Sequence, residues 1–128
     1  MARKPSVTLT DGELRLMRVL WQRGRATVAD VVDALPRKQP IAYNTVQTLF
    51  KILEAKGYVS HDKDGRAFVY RPLIDQRAAQ RKALSHLIKG LFDGSPGLLV
   101  LNVLDDQQLD ESELQRLRKM IDESAGEK

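Results

Sequence analysis

The 128-residue sequence contains no cysteine, which excludes disulfides, thiolate metal sites and cysteine nucleophiles. No stretch approaches the ~18–20 consecutive apolar residues of a membrane span, and Met1–Thr10 lacks the apolar core of a secretory signal. A cytoplasmic protein without membrane insertion is expected. Histidine is scarce: His61 and His86 stand far apart, with no carboxylates at ligand spacing. No metal site and no cofactor is expected. There is no Gly-rich phosphate loop, no nucleophile elbow and no zinc-protease motif. Catalysis and a small-molecule substrate therefore have no residues to rest on, and the protein is expected not to be an enzyme.

What is present is a folded composition, with 42% hydrophobic and 30% charged residues. The length suits one domain, or a small domain with an appendage. The net charge of +4 is unevenly spread. Residues 1–73 carry 13 Lys and Arg against seven Asp and Glu, whereas residues 93–128 carry four against nine. A basic front and an acidic tail point to a polyanion-binding module joined to a part with another task.

Helix signals open the chain. Thr10 and Glu13 have capping-box spacing, and Asp11 adds a negative charge to the first turn. Leu14, Met17, Leu20 and Trp21 form an apolar stripe, and Gly24 is a stop. A short second helix is capped by Thr27 with Asp30 three residues on; Val28, Val31, Val32 and Leu35 supply its buried face and Pro36 ends it. After a turn at Arg37–Pro40, a third helix runs from about Ala42 to Lys56. Its apolar face is Val46, Leu49, Phe50, Ile52 and Leu53, and Gly57 closes it. A hairpin follows, with Tyr58-Val59-Ser60 leading in and Ala67–Tyr70 leading out, around Lys63-Asp64-Gly65-Arg66. Three helices followed by a two-stranded ribbon is the order of a winged helix-turn-helix.

Beyond Leu73 the pattern changes. Asp75 can cap a long helix to about Phe92, Asp93–Gly97 is a break, and Leu98–Leu104 is a short apolar segment. Asp110 and Glu113 cap a last helix, whose tail, 124–128, is expected to fray. The fold class is thus mainly α with a small β-ribbon: a winged helix-turn-helix domain over 1–73 and a helical dimerisation domain over 74–128. The apolar residues of the second part, Leu84, Leu87, Ile88, Leu91, Leu98, Leu101, Leu114, Leu117 and Ile121, are too thin for a core in one chain. A second copy would supply the same surfaces again.

Function follows from the third helix. It opens with Asn44, Thr45, Gln47 and Thr48, polar residues of modest helix propensity. In a helix-turn-helix these positions reach base edges in the major groove, where Asn and Gln pair with adenine and Thr contacts thymine. Asn44, Thr45 and Gln47 are the candidate base readers. Tyr43, Thr48, Lys51, Lys63, Arg66, Arg3 and Lys4 are candidates for phosphate or backbone contact. The expected partner is a double-stranded DNA operator with two-fold symmetry, bound by a homodimer that acts as a repressor. The alternative is a winged-helix protein-interaction module without sequence-specific DNA binding, which a salt-indifferent complex would favour.

Four stretches also resemble the penicillinase-repressor family, of the BlaI/MecI type. They are LTDGELRLMRVLW, AYNTVQTLFKILEAKGYVSHDKDGRAFVY, LLVLNVL and LDESELQRLRKMI. The resemblance implies a dimeric winged-helix repressor, with Asn44, Thr45 and Gln47 at the base-reading positions. It also implies induction by a membrane-bound sensor protease, which cuts family members in the dimerisation region between Asn and Phe. The matching pair here is Asn102-Val103. A relative senses copper through a C-terminal cysteine cluster, a mode that this cysteine-free chain lacks.

Overall fold

A computed structural model of the chain describes residues 8–106 and 108–126. The described elements, in order, are α1 (Asp11–Arg23), β1 (Ala26–Thr27), α2 (Val28–Ala34), α3 (Tyr43–Ala55), β2 (Val59–Asp64), β3 (Ala67–Pro72), α4 (Gln76–Leu91), α5 (Pro96–Asp106) and α6 (Glu111–Gly126). They fall into two compact units that divide at Leu87/Ile88.

The first unit is a winged helix. Both expected capping boxes form. Thr10 Oγ1 accepts from Glu13 N while Glu13 Oε1 accepts from Thr10 N, and Thr27 and Asp30 repeat the exchange at α2. Arg15 of α1 donates to the carbonyl of Gln39 and so holds the turn between α2 and α3. The core gathers Leu16, Met17, Val19 and Leu20 of α1, Val28 and Val31 of α2, and Val46, Phe50 and Leu53 of α3, closed by Tyr58, Val59 and Tyr70. Phe50 and Tyr70 stack at 4.1 Å, joining α3 to the sheet.

Several expectations are corrected here. The ribbon is a three-stranded antiparallel sheet of order β1-β3-β2. Ala26 and Thr27 pair with Tyr70 and Val69. Two residues carry no pattern of their own, so only this pairing makes them a strand. The buried face of α1 is rotated, because Leu16 and Val19 are buried while Leu14 and Trp21 are only partly so. Glu13, which reads as a capping acid, is also buried. On α3, Ile52 is exposed, since the core is filled by Val46, Phe50 and Leu53. The wing turn is Gly65-Arg66, because Asp64 still pairs with Ala67. Gly65 takes φ +63°, as the first central position of a II′ turn requires.

The division at Leu87/Ile88 lies within α4, whereas the sequence places the boundary at 73/74. The start of α4 packs on the winged helix: Trp21 Nε1 donates to Ile74 O at 2.8 Å, Ala79 is buried, and the Lys82 ammonium lies over the Tyr58 ring. Asp75 accepts from Ala78 N at the helix start, as expected.

The second unit contains the end of α4, then α5 and α6. The apolar segment at Leu98 is part of a helix, opened by Ser95 Oγ accepting from Leu98 N, with Pro96 at the first position. Asp110 accepts from Glu113 N and opens α6. That helix runs to Gly126 and does not fray at Ser124; residues 127–128 lie outside the described residues. Neither α5 nor α6 has a fully buried residue, although Leu98, Leu101, Leu117, Met120 and Ile121 line them.

Candidate nucleic-acid interface

The second helix of the helix-turn-helix, α3, presents two faces. Val46, Phe50 and Leu53 lie inward. Asn44, Gln47, Thr48 and Lys51 recur at helical spacing on the opposite face. Tyr43, Asn44, Thr45, Thr48 and Lys51 are exposed and Gln47 is half-buried. The N-cap residue is Ala42, whose side chain makes no capping bond. The first N–H groups of α3 are therefore not satisfied by a cap, and such groups favour phosphate.

The wing brings the second set of residues to the same place. Tyr43 and Gln47 of α3, Arg66 of the turn, Phe68 and Tyr70 of β3, and Thr27–Ala29 at the start of α2 line one groove. The groove thus has an aromatic and amide wall on the helix and a guanidinium at the wing tip. Lys63, in β2, pairs with Phe68 across the ribbon.

The other expected residues are placed as follows. Asn44 and Thr45 stand on the open face of α3, outside the groove. The Thr48 hydroxyl donates to Asn44 O at 3.0 Å. While that bond holds, Thr48 has only an acceptor to offer and cannot donate to a phosphate. Arg3 and Lys4 lie outside the described residues. Among the described residues, no three His, Asp or Glu side chains gather as a metal site. Leu84, Leu87 and Leu91 are exposed and Ile88 is half-buried on α4; Leu98 and Leu101 on α5, and Leu117 and Ile121 on α6, are exposed, with Leu114 half-buried. Asn102 and Val103 lie within α5, where Asn102 Nδ2 donates to Leu98 O at 2.8 Å.

Sequence reasoning missed three supporting groups. Lys56, at the end of α3, reaches back to α1: its Nζ lies 2.6 Å from Glu13 Oε1 and 2.9 Å from Thr8 O. Burial works to raise the Glu13 carboxyl pKa. The hydrogen bonds from Lys56 and Thr10 and the lysine charge outweigh it, leaving the carboxyl below the ordinary range. The Glu54 carboxylate reaches the ribbon, where its Oε2 meets His61 Nδ1 at 2.6 Å. The His61 ring in turn lies 4.7 Å from Phe68 and 5.4 Å from Tyr70. Burial, then the Glu54 charge, pushes the Tyr70 phenol up, so it stays neutral. The period-2 alternation of β2 and β3, taken with their register, could have placed His61, Phe68 and Tyr70 on one face; nothing local marks the links to Glu54 or Glu13.

Comparisons with known proteins agree with this architecture. The penicillinase repressor of Bacillus licheniformis is 29% identical over 120 residues, covering 94% of each chain. The methicillin resistance regulatory protein MecI of Mammaliicoccus sciuri is 23% identical, covering 88% of this chain and 92% of its own. A crystal structure described as a possible transcriptional regulator for arsenical resistance is 23% identical with a TM-score of 0.55, covering 84% of this chain and 100% of that one; this likeness shows the fold. The family model described as penicillinase repressor matches residues 9–123, nearly the whole chain, and the chain belongs to that family.

Proposed function

We propose that this chain is a sequence-specific DNA-binding repressor that acts as a homodimer on a two-fold symmetric operator. The observation that carries the reading is the polar outer face of α3 set beside the wing-tip Arg66 across one groove. Asn44, Thr45 and Gln47 read bases, while Lys51, Lys63 and Arg66, with Arg3 and Lys4, hold phosphates. Family membership favours this role over a protein-interaction module. The role is binding rather than catalysis.

The dimer rests on the second unit. Helices α5 and α6 leave Leu98, Leu101, Leu117 and Ile121 exposed, and an amphipathic helix needs a surface to cover its stripe. Two copies bring two copies of α3 to one duplex, with the gain in affinity that bivalency gives. No single described helix is long and apolar enough to cross a membrane, and a cytoplasmic location suits an operator-binding protein.

Release from DNA is assigned to a membrane sensor protease acting at Asn102-Val103. The bond lies inside α5, so a protease that needs extended chain must first unwind that helix. Incubation with an activated sensor protease, followed by mass spectrometry, tests this step: cleavage at 102/103 supports it, and DNA release from an intact chain contradicts it. DNA binding itself is tested by selecting duplexes from a random library with the full chain.

A further inference from the structure

Phe68 is an apolar ring left 44% exposed on a wing that otherwise ends in charges. A single exposed apolar side chain is ordinary on a protein surface. Phe68 differs in where it stands and in how it is held. It lines the groove shared by Tyr43, Gln47 and Arg66. Its back meets His61 at 4.7 Å, and His61 Nδ1 is fixed 2.6 Å from Glu54 Oε2 on α3. Below them, Tyr70 packs against His61 and stacks on Phe50 of α3. The ladder Phe50–Tyr70–His61–Phe68 therefore runs from inside α3 to the wing, with the Glu54–His61 bond as its outer fastening.

We infer that Phe68 is a DNA-contact residue of the wing, and that His61, anchored to Glu54, is the positioning residue that aims it. The inference rests on the DNA-binding reading of the same face. The ligand is double-stranded DNA, and the chemistry is apolar contact of the ring with deoxyribose or a thymine methyl beside the Arg66 phosphate contact. A ring already held by the ladder loses little freedom when DNA covers it, so more of the contact is retained as affinity. His61 touches no DNA in this arrangement. Its effect passes through Phe68, unlike a histidine that contacts phosphate directly.

The test measures affinity by fluorescence anisotropy on a duplex selected by the full-length wild-type chain, and on a scrambled duplex. Phe68→Ala is expected to weaken binding to the selected duplex by about tenfold, while Phe68→Leu, which keeps apolar bulk, stays within about threefold. His61→Ala and Glu54→Ala are expected to weaken binding several-fold in the wild-type background and to have no further effect in the Phe68→Ala background. Thermal midpoints of each variant separate loss of contact from loss of fold. Wild-type affinity in Phe68→Ala, or independent multiplicative effects of His61→Ala and Phe68→Ala, would overturn the inference while leaving the DNA-binding role intact. A wild-type chain that selects no duplex would overturn both.

Discussion

Lys56 Nζ and Glu13 Oε1 lie 2.6 Å apart, with side chains 5% and 2% exposed, tying the end of the recognition helix to the first turn of α1. The same carboxylate completes the capping box by accepting from Thr10 N. One buried acid thus starts α1 and anchors α3. Removing only one charge of such a pair leaves the other buried and uncompensated. Lys56→Met is expected to destabilise the fold by about 3–5 kcal/mol. Glu13→Gln with Lys56→Met should recover part of that loss, in a double-mutant cycle read by urea unfolding.

The pair also sets an acid limit. The Glu13 carboxyl lies below its ordinary value of 4.5 in the folded chain, because the Lys56 and Thr10 hydrogen bonds and the lysine charge outweigh the raising effect of burial. A folded pKa below the unfolded one means that the unfolded chain binds the proton first. The contribution is therefore full above the unfolded carboxylate pKa and is lost as pH falls through the folded value. Thermal midpoints measured downward from pH 6 should decline below about pH 4.5, and less steeply in Glu13→Gln.

Base readers and phosphate holders should separate in their signatures. Asn44→Ala or Gln47→Ala is expected to cost roughly 1–3 kcal/mol against the preferred duplex and to relax base choice. Lys63→Ala and Arg66→Ala should weaken all duplexes alike and lower the salt slope by about one each. Anisotropy titrations at several salt concentrations distinguish the two patterns.

The exposed leucines of the second unit make a fourth expectation. Leu117→Asp or Leu101→Asp should halve the mass measured by sedimentation. Affinity for a two-half-site duplex should then fall by about a hundredfold or more, with half-site affinity unchanged.

Much of this arrangement was legible in the chain. The pairs Thr10/Glu13 and Thr27/Asp30, with Pro36 and Gly57, mark the helix ends by local chemistry, and that chemistry is what forms. The polar opening of α3 marked its outer face for the same reason. The features that escaped depend on partners distant in sequence. Ala26-Thr27 is a strand only because Tyr70 and Val69 lie beside it. Glu13 reads as a surface cap until Lys56 arrives to neutralise it. His61 carries no local sign of its role until the register of the ribbon sets it between Glu54 and Phe68. The division within α4 likewise follows from Ala79 and Ile74, whose docking on α1 and its surroundings no local pattern announces.

Sequence-specific recognition of DNA by α3 is the central claim, and selection of duplexes from a random library by the full chain tests it most directly. The expected result is a two-fold symmetric consensus, bound with an affinity that falls steeply with salt, and blurred at single positions by Asn44→Ala and Gln47→Ala. A library that emerges unenriched would contradict it, as would a consensus unchanged by either substitution.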